Sequence, residues 1–229
     1  MNFVILNGKK STLIRGLLIC ELPHITKPAI RYQVDEVDGR DGDIITKLGY
    51  EAYSKELSIG LYDEFDINEV IKYFSGDGKV TFSNELDKYY NYQILEQIDY
   101  QRLIRFRTAK VKMHCQPFKY SAVEKPITQE GESEMYVVNN GNINSRPTLT
   151  LYGSGQVTVS LNDERIFSIV LQDEMTIDSE RMEAFKGDTL LNRYILGDYD
   201  SLSLGVGKSK LSWTGNVTKA VIDKYSRWI

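Results

Sequence analysis

Two histidines, two cysteines and five prolines are all that 229 residues contain of these types, and each scarcity narrows what the chain can do. Both histidines, His24 and His114, lie in the first half, so the second half has no imidazole and a histidine-rich metal site is excluded by count. His114 adjoins Cys115, but neighbours on a strand point to opposite faces, which separates the Cys–His pair a nucleophilic mechanism needs. Cys20 and Cys115 share no metal-ligand spacing and are read as reduced, packed thiols. No catalytic residue, metal ligand or cofactor is expected. No apolar run reaches membrane-spanning length, and the opening MNFVILNGKK lacks a basic leader followed by an apolar stretch. The expectation is therefore a chain made in the cytoplasm with no membrane partner. Charge of one sign is also missing: the net value is −4, with acids and bases interleaved. The densest basic stretch, Arg102, Arg105, Arg107, Lys110 and Lys112, reads as a solvated or interface face of a strand, so no nucleic-acid partner is expected.

Aromatic residues are plentiful, with fifteen tyrosines and eight phenylalanines, and aromatic side chains favour pleated, half-buried surfaces. The pattern predicts a mainly β protein. Phe3 to Leu6, Leu17 to Glu21 and Arg31 to Val37 read as strands, the last two separated by Leu22 to Pro28, whose two prolines prevent continuous pairing. Asp38-Gly39-Arg40-Asp41-Gly42-Asp43 is a loop. Tyr53, Leu57, Ile59 and Leu61 share one parity, as in a half-buried strand. One short helix is expected after Asp66, with Glu69 three residues on as in a capping box, an apolar stripe Ile67, Val70, Ile71 and Phe74, and a stop at Gly76. Strands are expected again over Lys79 to Phe82, Tyr89 to Ile98 and Leu103 to Met113. Tyr120 to Glu134 is polar and aperiodic and reads as an inter-domain linker. Beyond it, Leu149 and Leu151, Val157 to Leu161 and Ile166 to Leu171 alternate between turns placed at Gly153-Ser154-Gly155 and Asn162-Asp163. Further strands are expected near Met175 to Asp178, Leu202 to Leu204, Leu211 to Trp213 and Lys219 to Asp223, the pattern of an antiparallel sandwich.

Several motifs imitate chemistry. Gly205-Val206-Gly207-Lys208-Ser209 looks like the end of a phosphate-binding loop, but the first glycine of that motif falls on Leu202 and no helix is expected to follow, so a hairpin turn is favoured. Asp38, Asp41 and Asp43 offer oxygen ligands, yet Gly49 stands where a calcium loop has its glutamate; a solvated turn or a protein interface is favoured. Asp178 and Glu180 stand two apart with no second wall for a glycosidase cleft. Trp213 reads as a core residue. Trp228 is the carbohydrate-contact candidate.

Taken in order, the segments Glu21-Leu22-Pro23-His24-Ile25-Thr26-Lys27-Pro28, Val37 to Asp43, Val138-Asn139-Asn140-Gly141, Ser145-Arg146-Pro147-Thr148-Leu149, Tyr152-Gly153-Ser154-Gly155, Val157-Thr158-Val159, Ile177-Asp178-Ser179-Glu180, Trp213-Thr214-Gly215-Asn216-Val217 and Trp228 carry a resemblance. They span nearly the whole chain, which resembles the distal tail (Dit) family of long-tailed phages and prophages of Gram-positive hosts. The resemblance implies an N-terminal β-rich ring-forming domain with one short helix, residues 1–125, and a C-terminal galectin-like antiparallel β-sandwich arm, residues 126–229. It also implies a structural, non-enzymatic protein: a hexameric homo-oligomer at the virion tail tip that joins the tail tube, built of the major tail protein, to a tail-associated fibre or lysin and to receptor-binding proteins. The second half has no H-x-N-P-R pattern, so the galactoside contacts of galectins have no counterpart. The other function considered is a carbohydrate-binding module that recognises the host surface. Tyr and Arg are enriched at binding hot spots, and the interface candidates are Arg40, Asp41, Tyr92, Arg105, Phe106 and Arg107, with Arg40 as an ion-pairing anchor.

Overall fold

A computed structural model describes all 229 residues. They form two compact units, Met1–Ala122 and Val123–Trp228. Both are mainly β and antiparallel.

In the first unit the elements are β1 (Val4–Leu6), β2 (Lys9–Lys10), β3 (Leu17–Glu21), β4 (Ile30–Glu36), β5 (Asp43–Tyr50), β6 (Tyr53–Leu61), α1 (Ile67–Tyr73), β7 (Asp77–Phe82), β8 (Lys88–Gln93), α2 (Tyr100–Phe106) and β9 (Thr108–Ser121). One sheet runs in the order β2-β1-β7-β8-β9-β6-β3, while β4 and β5 pair only with each other. Strand alternation sets the core: Leu57, Ile59 and Leu61 of β6 and Ala109, Val111, Met113 and Cys115 of β9 all turn inward. Val70, Tyr73 and Phe74 of the α1 region and Leu103 of α2 join that core. The opposite face stays polar, with Glu56, Ser58, Lys110 and Lys112 outward, the usual division for an antiparallel sheet. Asp66 caps α1, its carboxylate accepting from the backbone N–H of Asn68 at 2.9 Å and Glu69 at 3.4 Å.

The second unit comprises β10 (Ile127–Glu130), β11 (Glu134–Asn139), β12 (Thr148–Leu161), β13 (Glu164–Leu171), β14 (Glu174–Asp178), β15 (Glu183–Lys186), β16 (Thr189–Leu190), β17 (Ile195–Gly197), β18 (Gly207–Asp223) and β19 (Arg227–Trp228). Two long strands, β12 and β18, run side by side and serve two sets of partners. Their Thr148–Tyr152 and Lys219–Asp223 portions sit between β10 and β14, whereas their Thr158–Leu161 and Leu211–Thr214 portions sit between β11 and β13. The ladder between the two strands is interrupted near Gly153 and Ser154, where the pair bends and passes from one set to the other. A Cβ on Gly153 would lie 2.0 Å from the Asn216 carbonyl oxygen, and one on Gly215 would lie 2.2 Å from that of Gln156, so only glycine lets the two backbones close at this crease. The core gathers Leu149, Leu151, Val157, Val159, Phe167, Ile177, Leu211, Trp213 and Ile222.

Several expectations need correction. Gly153-Ser154-Gly155 bends β12 without turning the chain, and the separate strands expected at Leu211 and Lys219 are one strand, β18. Leu103 to Met113 is not one strand: α2 ends at Phe106, and Arg107 adopts φ +59° before β9 begins. The apolar–basic alternation from Ile104 to Arg107 imitates a strand, but Asp99 accepts the Arg102 N–H at 2.7 Å and starts a helical turn. The strand expected from Tyr89 stops at Gln93, and Leu202 to Leu204 forms no strand, only an isolated bridge between Leu204 and Ser145. Lastly, the polar stretch Tyr120 to Glu134 contains the junction between the two units, at Ala122 and Val123, but it also holds the end of β9 and all of β10; β10 pairs only with β18 and, being peripheral, tolerates polar residues.

Candidate functional site

The groups that could perform chemistry are committed to packing. Cys115 is buried, and burial pushes its thiol up to about 12, far from the thiolate a nucleophile requires. Lys55 is only 3% exposed; its Nζ donates to the His24 carbonyl at 3.1 Å and lies 4.7 Å from the centre of the Tyr90 ring. Burial lowers its pKa. Beside it, Glu85 accepts from the Tyr90 hydroxyl at 2.6 Å and the Lys119 ammonium at 2.7 Å. This is a closed polar cluster that ties the segment before β4 to the sheet. A groove of about 390 Å³ on the polar face is lined by Glu56, Glu96, Asp99 and Arg102 among others, but Lys110 holds Glu56 at 2.6 Å and Lys112 holds Glu96 at 3.0 Å. No group of three or more His, Cys, Asp or Glu side chains comes together as a metal site.

In the second unit, Gly207 opens β18 directly, Ser209 is buried, and the Lys208 ammonium sits 3.8 Å from the centre of the Tyr136 ring. No helix N-terminus follows to cradle a phosphate. Asp178 caps a turn, accepting the N–H groups of Glu180 and Arg181 at 3.0 Å each. Trp213 is a core residue, and Trp228 is half-buried instead of standing out as a stacking platform.

Surfaces are more informative than cavities. The β4–β5 hairpin leaves the body of the first unit as a two-stranded ribbon, with every residue from Arg31 to Leu48 exposed. Its register pairs Tyr32 with Lys47, Val34 with Ile45 and Glu36 with Asp43 on one face, and Gln33 with Thr46 and Asp35 with Ile44 on the other. The hydrogen bond from Gln33 Nε2 to Asp35 Oδ1 at 2.8 Å marks the second face as the more polar one. The first carries Tyr32, Val34 and Ile45, which are 60%, 43% and 61% exposed. Arg40 and Asp41 lie in the tip, where Asp35, Glu36, Asp38, Asp41 and Asp43 surround the single base Arg40.

A second exposed surface lies on α2. Ile104 and Phe106 are 45% and 62% exposed there. The Arg105 guanidinium lies 5.2 Å from the Phe106 ring centre, and that of Arg107 lies 4.8 Å from Phe65. Arg105, Phe106 and Arg107 are therefore at one surface, whereas Arg40 and Asp41 are at another. Tyr92 is at neither: it is 3% exposed in the core, turned inward by the parity of β8, and is withdrawn as an interface candidate. The sequence reading missed the apolar face of the hairpin and Ile104. The available signal was the alternation of Tyr32 and Val34 opposite Ile45 about a short Asp/Gly loop.

Several of the motifs that carry the family resemblance meet in the second unit. Asn139 is 2% exposed; its amide donates to the carbonyls of Ile143 at 2.9 Å and Leu204 at 3.1 Å, while its Oδ1 accepts the Gly141 N–H at 2.9 Å. Arg227 donates to the Asn144 carbonyl at 2.6 Å and to Glu180 at 3.3 Å, and Arg146 reaches Asp200 at 2.5 Å. The Ser226 hydroxyl accepts the Asn140 N–H at 3.1 Å. These residues form a clasp that fixes the last strand to the 139–147 loop, a structural role and not a binding pocket.

No family model matches the chain, and no curated protein is similar to it in sequence. Solved structures are similar in fold. The crystal structure of the SPP1 Dit (gp 19.1) protein, described as a paradigm of the hub adsorption apparatus in phages infecting Gram-positive bacteria, aligns with a TM-score of 0.68 at 15% identity, covering 97% of this chain and 98% of that one. A chain of the phage P2 baseplate in its activated conformation with Ca aligns at a TM-score of 0.50 and 12% identity, covering 97% of each. Along its whole length, then, the chain has the fold of a Dit-like phage tail protein.

Proposed function

We propose that this protein is a structural hub of a phage tail tip, and that it works by assembling into a closed ring of identical subunits, six by analogy with the family it resembles. The first unit makes the ring contacts, and the second is a galectin-like arm. The ring joins the tail tube to a tail-associated fibre or lysin and provides a base for receptor-binding proteins. The observation that carries this reading is the β4–β5 hairpin. A two-stranded ribbon with an uncovered apolar face is marginal in water by itself. A ring of identical copies would cover that face in every subunit at once. The full-length likeness in fold to a hub protein supports the same reading.

Light scattering on the full-length protein should give one discrete mass several times that of the chain, without added sugar. Expressed separately, residues 1–122 should retain that oligomeric state and residues 123–229 should be a folded monomer. A monomeric first unit beside an oligomeric second unit would reverse the assignment. No observation favours the carbohydrate-binding alternative, since Trp228 is half-buried.

A further inference from the structure

We infer that the tip and apolar face of the β4–β5 hairpin of one copy dock on the α2 surface of the next copy, with the acidic tip against Arg102 and Arg105 and with Tyr32, Val34 and Ile45 against Ile104 and Phe106. This rests on the ring reading above and adds which surface meets which.

Three observations lead to it. The first is charge. The tip carries five carboxylates against one base, whereas the stretch from Arg102 to Lys112 carries five bases and no acid. Lys110 and Lys112 are already paired with Glu56 and Glu96, but Arg102, Arg105 and Arg107 form no ion pair within the chain, and neither do Asp38, Asp41 and Asp43. The second is apolar matching. Each surface exposes large hydrophobic side chains beside its charges, the composition of an interface with a dry centre and a polar rim. The third is placement. Near the base of the hairpin, the Tyr50 ring packs on Phe118 at 5.5 Å between centres, towards the far end of β9, whereas α2 runs straight into Thr108 at the near end. Roughly ten strand residues separate these points, a span of about 30 Å. The base of the hairpin and α2 thus stand at opposite ends of one strand, so that the ribbon and α2 leave the sheet from different ends, an arrangement suited to a head-to-tail contact between copies. Head-to-tail contacts generate rings when the rotation closes. The occupant is therefore a second copy of this chain.

The test is a charge swap in the full-length chain, read by sedimentation and light scattering. D38K/D41K and R102E/R105E should each raise the concentration at which half the protein is assembled by at least about tenfold, and high salt should weaken the wild-type assembly in the same direction. Combining all four substitutions should restore assembly towards the wild-type value. The substituted positions are exposed, so each variant should keep the wild-type melting temperature, which separates lost docking from lost folding. If the wild-type protein assembles and neither pair of substitutions changes its mass, the hairpin-to-α2 contact is overturned while the ring reading stands. If both pairs disrupt assembly and the combined variant stays dissociated, the direct pairing of these surfaces is overturned. A wild-type protein that is monomeric at every concentration overturns both readings.

Discussion

Asn139 has two polar side-chain atoms and makes three hydrogen bonds with them, all to backbone groups that have little other recourse, since it is closed to water. Removing one partner from a buried hydrogen bond costs the desolvation of whatever is left unpaired, and here two carbonyls and one N–H would be affected. Asn139→Ala should therefore lower the stability of the second unit by about 3 kcal/mol. Denaturant titration of the residue 123–229 fragment would measure it, and a loss below about 0.5 kcal/mol would mean that water replaces the amide. The sequence shows Asn139 only as part of Val138-Asn139-Asn140-Gly141, a string that looks like a turn. Its role depends on Leu204, which is distant in sequence, and no periodicity reports such a partner. Tyr92 teaches the opposite lesson. Its residue type suits an interface, but it shares the inward parity of Tyr90 on β8, and residue type alone carries no information about which face a side chain takes.

At the scale of elements, α1 was legible because its signals are local: the Asp66 cap and the apolar stripe both lie within a few residues. The inward parity of β6 was legible for the same reason. α2 was not, because it is short, buries only Leu103, and its exposed side alternates like a strand. The crease of β12 and β18 was misread for a different reason. Glycine marks both turns and close backbone approach, and sequence alone does not tell one from the other. Gly153 has φ +149° and Gly215 has φ +101°, so a side chain at either position meets both an unfavourable backbone conformation and a carbonyl wall. Gly215→Val should destabilise the second unit by about 3 kcal/mol and leave the first unit unchanged. Differential scanning calorimetry with two resolved transitions would show which one moves; a shift in the first alone would contradict the assignment of the crease to a single unit.

For the molecule as a whole, the two units differ in how they should respond to alkali. The first buries Tyr53, Tyr73, Tyr90, Tyr92 and Tyr100 to varying degrees, and desolvation raises the pKa of each, that of Tyr53 to about 12. Cys115 is raised to about 12 from 9.0 by the same cause. A raised folded-state pKa gives stability that is complete below the unfolded pKa and disappears as pH climbs through the folded one. For Cys115 that window runs from 9.0 to about 12 and is worth on the order of 4 kcal/mol. The tyrosines add to the loss from pH 10 upward. Lys55, lowered by burial, works in the opposite sense, because its penalty lifts as pH approaches 10.5, but it is one group against six. In the second unit Tyr199 and Tyr225 are raised, and both are partly open to solvent. The first unit should therefore unfold first as pH rises past 9, and Cys115→Ala should flatten the early part of that fall. Tyrosinate absorbance followed together with circular dichroism would test the order, and simultaneous unfolding of both units would refute it. The bent strands of the second unit bear on a load as well as on stability. Because β12 and β18 each continue across the crease, a pull applied to one face of that unit reaches the other through peptide bonds, while the hydrogen-bonded ladders are left to resist only the shear between neighbouring strands.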